Sequence, residues 1–393
     1  MLQHFIYRSI ILIFLSLLFF ACVDEQVKAI EKSKHEILIE TVDSIYGLAI
    51  KGFSHSLRDK GIFRYSFDPV HNKYSTKNNA IRQLMATRLM AELVGEEATW
   101  LPKHKKNLNF LMKHWYKVDN DSVGYILYND KSKLGANAMF LRALTVSPFY
   151  EDYQDIAKQL CSGILMLMDD DGGFDPFYKE PSYTYDKDYL LTFYSGEALV
   201  SLIEYAVKID NDDLLKMVIK SQDHYIQKYV TELDKNYYPA YVPWHTISLS
   251  KLYKLTGDKK YSDAIFTLND KLLEIQDTTS HIGRFYNYRT PQYGKPHGSS
   301  DGVYTEGLAY AYEIALLEND SIHRSKYLRA LKMAMVNLKS LQYSKDDCKD
   351  VKFPERCTGA FRTSTTNPWS RVDTGQHILD ALRKLLSIEV KKN

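Results

Sequence analysis

Cysteine is scarce in this chain. There are four in 393 residues, and none groups with histidine at zinc-site spacing. A metal centre of that kind is therefore not expected, and nothing in the sequence asks for another cofactor. An excess of one charge is missing too. Lys and Arg number 51 against 49 Asp and Glu, a net +2, and no basic tract occurs, so a nucleic-acid partner is not expected. Proline and glycine are thin, at 11 and 18, and no Pro/Gly/Ser-rich stretch marks a linker. Tyrosine is plentiful instead, 30 residues against 17 phenylalanines. Its apolar body and polar tip suit both sugar stacking and helix packing.

The start of the chain is read apart from the fold. Arg8 precedes an apolar run, Ile10–Phe20, broken only by Ser16. The run is short for a membrane-spanning helix but has the layout of a secretory signal. Cys22 directly after Ala21 resembles the bacterial lipoprotein box, in which the signal is cut before a cysteine that is then lipidated. Phe19 and Phe20 depart from the residues usual there, and an ordinary signal followed by a chance cysteine is the alternative. The resemblance implies a signal over residues 1–21, a short anchor over 22–26, and a chain held to a membrane through Cys22 without spanning it. The cell envelope, with the outer membrane favoured, is then the expected location. Of the other cysteines, Cys161 lies in an apolar helical stretch and reads as a buried hydrophobe. Cys348 and Cys357 flank a polar loop, and export permits a disulfide between them.

Residues 27–393 exceed the usual size of one core, so a repeat ring or two domains is expected. A glycine-aromatic motif returns along them: Gly61-Ile62-Phe63, Gly124-Tyr125, Gly172-Gly173-Phe174, Gly283-Arg284-Phe285 and Gly359-Ala360-Phe361. A glycine-free variant, Tyr237 to Tyr241, fills the widest gap. Each leads into a helix rich in small and apolar residues, followed by an amphipathic one. The first kind reads Asn79–Val94, Gly135–Leu144, Ser195–Val207, His245–Leu255, Glu306–Leu317 and Thr374–Leu386. Only five amphipathic helices follow these six. The N-terminal helix Val27–Phe53 supplies the missing one, packing against the C-terminal helix near Leu379 and Leu382. One ring-shaped domain without a linker results.

This layout resembles the all-α (α/α)6 toroid of six-hairpin glycosidases, polysaccharide lyases and sugar epimerases. The pieces Gln276–Phe285 and Met168–Phe174 also resemble turns of terpene-cyclase and prenyltransferase toroids. The zinc site of the prenyltransferases has no cysteines here, and Asp169 to Asp171 lie in a turn, not in a cavity. The resemblance implies a carbohydrate or glycan ligand in a cup at one end of the ring, worked on by hydrolysis, lysis or epimerisation. A non-catalytic surface lipoprotein that binds glycan or protein is the alternative.

In such a ring the inner helices start around one cup. Glu197, His245, Glu306, Asp373 and His377 are the candidate catalytic residues. Arg82, Asn137, Tyr194, Trp244, Asp301, Tyr304, Arg362 and Arg371 are the candidate substrate contacts. Paired carboxylates suit glycoside hydrolysis. Histidine or tyrosine with an arginine clamp suits proton abstraction beside a carboxylate. Asp373 and His377, four apart on one helical face, form either an oriented catalytic histidine or a satisfied buried pair. His245 beside Trp244 reads equally as a core histidine, and the acids as helix caps.

Overall fold

The structure, a computed structural model, describes residues 38–390. Among them, twelve helices of three turns or more alternate between an outer and an inner layer. The outer six are α1 (38–56), α3 (Trp100–His114), α5 (Tyr150–Leu165), α7 (Asp212–Ile226), α9 (Lys259–Leu272) and α11 (Ser321–Leu341). The inner six are α2 (Ala80–Leu93), α4 (Leu134–Thr145), α6 (Lys187–Lys208), α8 (Tyr241–Thr256), α10 (Gly298–Leu317) and α12 (Val372–Val390). Each inner helix packs on the next, and α12 returns to α2. The chain is an (α/α)6 toroid.

Composition sorts the two layers. Every residue of α4 is buried, and α2 leaves only Arg82 and Glu92 outside the core. A helix that is covered all round belongs inside, where it meets neighbours on both flanks. Outer helix α5 buries Ala157, Leu160, Cys161 and Ile164 on one stripe and turns its charges outward. Helix α1 buries Leu38, Val42, Ile45, Ala49 and Phe53. Phe53 meets Phe63 and Trp100 at ring-centre distances of 4.9 and 5.9 Å and lies beside Gly375 of α12. The N-terminal helix thus completes the outer layer, as its spacing predicts; residues 27–37 of that segment and the lipid-anchor candidate Cys22 lie outside the described residues.

The glycine-aromatic motif has a structural job. Gly61, Gly172, Gly283 and Gly359 all take positive φ, between 84° and 94°, a region that L side chains rarely adopt. The turn lets the aromatic two residues on bridge back to the chain just past the preceding outer helix: Phe63 to Leu57, Phe174 to Met168, Phe285 to Gln276, Phe361 to Gln342. Each glycine also lies against the backbone of the next outer helix. A Cβ would crowd Lys106 O at Gly61, Ser221 Cα at Gly172, Met333 O at Gly283 and Leu48 O at Gly359. The last contact is with α1, so the motif that links neighbouring hairpins also closes the ring.

Opposite the cup, the inner helices are tied by ions. Arg142 Nε meets Glu204 at 2.8 Å, and Lys251 meets the same carboxylate at 2.9 Å. Lys254 and Lys384 both pair with Glu313, Arg88 with Asp380, and Arg383 with Glu92. These pairs join α4 to α6, α6 to α8, α8 to α10, α10 to α12 and α12 to α2. At the cup end, short ribbons lead into the inner helices. Ser66–Asp68 pairs antiparallel with Lys73–Tyr74 and with Ser370–Arg371, Ser66 opposite Arg371. Cys348 and Cys357 are disulfide-bonded, while Cys161 is free and buried.

Two inner helices start more than two turns earlier than sequence spacing suggests, and α8 one turn earlier, at Tyr241. Helix α6 begins at Lys187, not Ser195, and α10 at Gly298, not Glu306. The missed start of α10 is polar and that of α6 sets Lys187 and Asp188 before Leu and aromatic residues, and each has a side-chain cap. Asp186 accepts from Tyr189 N–H, and His297 Nδ1 accepts from Ser299 N–H.

Candidate active site

A cavity of about 280 Å³ opens on the ring axis at the cup end, and five inner helices wall it. Arg82 comes from α2, Tyr194 and Glu197 from α6, Trp244 from α8, Tyr304 from α10, and Asp373 and His377 from α12. Because α6 and α10 start early, Glu197 and Glu306 sit more than two turns inside their helices. That places both beyond the reach of simple helix-end capping; Glu197 lines the cavity, while Glu306 does not and lies against His377.

His377 and Glu306 meet across α12 and α10. His377 Nδ1 lies 3.0 Å from Glu306 Oε2, and both side chains are buried. Nε2 has no hydrogen-bond partner among the described residues and is the nitrogen left for the cavity that His377 lines. The Trp244 ring stands edge-on to the imidazole, 5.8 Å between centres. Asp373 shares the helical face of His377, but its partners are arginines. Arg82 Nε approaches Oδ2 at 2.9 Å, and Arg371 Nε donates to Oδ1 at 3.0 Å while its Nη2 donates to Oδ2. Burial alone would raise the Asp373 pKa, yet the two guanidinium groups hold it down at about 2. The Asp373–His377 pair expected from spacing is therefore replaced by two separate units, Glu306–His377 and Asp373 with its arginines.

Glu197 is the opposite case. It is 2% exposed, and its Oε2 is buried without a hydrogen-bond partner. Gly135 of α4 makes room for that oxygen, since a Cβ there would overlap it. Burial pushes the Glu197 carboxyl up to about 8, against weaker lowering by Lys133, Arg82 and Arg142. Of the two carboxyls that line the cavity, Glu197 is therefore shifted towards its protonated form and Asp373 towards its ionised form.

Other expected residues lie outside the cavity. His245 faces the gap between α6 and α7, where Ser195 Oγ is 3.1 Å from Nε2 and the Tyr225 and Tyr229 rings pack on it. Burial takes its pKa down to about 3, which makes it a neutral core histidine. One residue is 100° of helical turn, so Trp244 and His245 cannot share a direction. Asn137 Oδ1 accepts from Ile126 N–H at 2.8 Å. Asp301 accepts from Phe285 N–H at 2.8 Å and Asn337 at 2.9 Å, anchoring a glycine turn. Arg362 binds Ser340 O and Asp347 beside the disulfide loop. Arg371 reaches the site only through Asp373; on its other side Arg371 Nη1 is 2.7 Å from Nε2 of His297, which does not line the axial cavity. His297 itself was not expected; its signal is its place as cap of an inner helix. Tyr189 and Phe193 also line the cavity, and both belong to the α6 turns read as loop. Among the described residues no cluster of three or more His, Cys, Asp or Glu is arranged to hold a metal ion.

Comparison with protein-family models gives no match, and none arises with curated proteins. Solved structures share the fold. A D-mannose isomerase superposes with a TM-score of 0.65 at 12% identity, over 91% of this chain and 98% of that one. Cellobiose 2-epimerase from Bacillus thermoamylovorans gives 0.64 at 14% identity, over 88% and 99%. The GH76A α-1,6-mannanase from Salegentibacter gives 0.60 at 12% identity, over 89% and 99%. At such identities the likeness defines the fold class, the (α/α)6 toroid, and leaves the chemistry to the residues.

Proposed function

We propose that this chain is a carbohydrate-transforming enzyme whose chemistry is proton transfer in the axial cup. The observation that carries this reading is His377, held through Nδ1 by the buried Glu306 carboxylate with Nε2 uncommitted. A carboxylate-oriented imidazole with one free nitrogen is equipped as a general base. Glu197, protonated near neutral pH, supplies an acid to the same cavity. A sugar seated between them gives a proton from carbon to His377 while an oxygen takes one from Glu197. Tyr194, Trp244 and Tyr304 offer aromatic faces to the ring. Isomerisation, epimerisation and lysis all fit this arrangement, and the mannose isomerase and cellobiose 2-epimerase of the same fold are named for reactions on sugars.

Hydrolysis is the second reading. It is favoured by the opposite shifts of Glu197 and Asp373, the pattern of a paired acid and base. Against it, both Asp373 oxygens are occupied by arginine. The test is a saccharide panel with product analysis on wild type, His377→Gln and Asp373→Asn. Proton transfer predicts that His377→Gln lowers kcat by about a hundredfold or more with the melting temperature little changed, and that the products are isomers or unsaturated sugars. Products of simple glycoside cleavage, formed undiminished by His377→Gln, contradict it. Saccharide binding without any turnover selects the non-catalytic alternative. We also propose envelope anchoring through Cys22, on the residues at the chain start alone; Cys22→Ser should abolish labelled-lipid incorporation, and unchanged incorporation refutes the anchor.

A further inference from the structure

The charges around the cup do not balance for a neutral ligand. Lys133, the residue before α4, is fixed by the pairing of Ser132–Lys133 with Phe177–Lys179. Its Nζ lies 5.8 Å from the centre of the Tyr194 ring, a wall of the axial cavity. It is half-buried and makes no ion pair among the described residues. Burial, Lys131 and Arg82 all disfavour its charge, and the one carboxyl that favours it is Glu197. Glu197 is itself neutral near pH 7, and Asp373 is already taken by Arg82 and Arg371. A second cavity of about 220 Å³ adjoins the first, and Asn79 lines both. Asn78, Asn129, Lys131, Lys133 and Tyr183 complete its polar wall. Lys131 likewise lacks an ion pair among the described residues and rests 5.2 Å from the Tyr183 ring centre.

We infer that the saccharide taken by the cup carries an anionic group, a carboxylate or a phosphate or sulfate ester, with Lys133 as its counter-ion. This rests on the reading of the cup as a saccharide site. Half-burying an ammonium without a partner is costly, and an anion delivered by the ligand removes that cost. Asparagine amides and the second lysine provide further donors to its oxygens. The sugar ring then lies against Tyr194 and Trp244, with its charged substituent in the side cavity and its reacting carbon towards His377. Neutral sugars leave both lysines uncompensated.

The test is titration calorimetry at low salt on the full chain and its Lys133→Met and Lys133→Arg variants. The probes are a neutral disaccharide, its uronate-containing counterpart, a sugar phosphate and a sugar sulfate. The expected result is that at least one anionic probe binds about tenfold or more tighter than the neutral one. Lys133→Met should erase that margin and Lys133→Arg should keep most of it. The uronate and ester arms show which anion the site takes. If Lys133→Met lowers the melting temperature, Lys131→Met provides the same comparison on the other lysine, with a smaller loss expected. Equal binding of neutral and anionic probes, unaffected at Lys133, overturns the inference. If a neutral sugar is then still turned over in a His377-dependent way, the proton-transfer reading survives alone. Failure of every saccharide to bind removes both.

Discussion

His377 gains its character from a residue 71 positions away. Its spacing from Asp373 is visible in the sequence, and the two do share a helical face. Which acid touches the imidazole is decided by how α10 lies against α12, and that is not a local property. The same holds for Glu197, whose chemistry comes from the space left by Gly135 on a different helix. Its raised pKa has a consequence for stability. The folded value of about 8 exceeds the ordinary 4.5, so the folded state binds the extra proton between those limits. Stability from this group is full below about pH 4.5 and is lost as pH rises to about 8, on the order of 5 kcal/mol. Asp373 acts in another window, adding stability above about 3.8 that is lost as pH falls to about 2. Urea unfolding from pH 5 to 9 should therefore show wild type weakening relative to Glu197→Gln. Parallel curves for the two proteins would show that Glu197 is ionised in the fold.

Among the elements, the glycine-aromatic turns were legible and two helix starts were not. A motif repeated at intervals stands out because four of its five glycine copies solve the same backbone problem, a positive-φ turn pressed on the next outer helix; the fifth, Gly124, lies instead in the strand Val123–Ile126. The first turns of α6 and α10 failed to stand out because Lys187-Asp188 and Gly298-Ser299-Ser300-Asp301 have loop composition. Caps and neighbouring walls make them helical, and tertiary context of that kind overrides propensity. The missed turns carry Tyr189 and Phe193 of α6 and Ser299, Ser300 and Val303 of α10, all of which line the cavity. The turn at Gly359 gives a sharp prediction. Gly359→Ala faces both positive φ and the Leu48 carbonyl of α1, and should cost about 2–4 kcal/mol. Gly257→Ala meets a similar φ, 70°, with nothing within 4 Å, and should cost about 1–2 kcal/mol. Equal losses in chemical denaturation would mean that the Gly359 contact does not hold α1 in the ring.

At the scale of the whole molecule, closure of the ring decides which residues meet. Five of the six parallel inner helices bring Arg82, Glu197, Trp244, Tyr304 and His377 to one cavity, although these residues span most of the chain. The need for an outer partner at the N-terminus was readable by counting helices, and α1 fills that place. Direction around each inner helix was not readable, because helices covered on all sides have no polar face to mark the axis. His245, Asn137, Asp301 and Arg362 are accordingly polar residues at the cup end that bond to the wall or the loops. The ion pairs at the far end tie the inner helices together beneath the cup.

The central claim is that the cup moves a proton between His377 and a carbon of a bound sugar. It is tested most directly by incubating saccharides with the protein in deuterium oxide and following carbon-bound hydrogen by NMR. The account predicts loss of one C–H signal as solvent deuterium enters substrate or product, with the exchange slowed by about a hundredfold or more in His377→Gln and clearly slowed in Glu306→Gln. A saccharide that is converted with every carbon-bound hydrogen retained, at the same rate in wild type and His377→Gln, would contradict it.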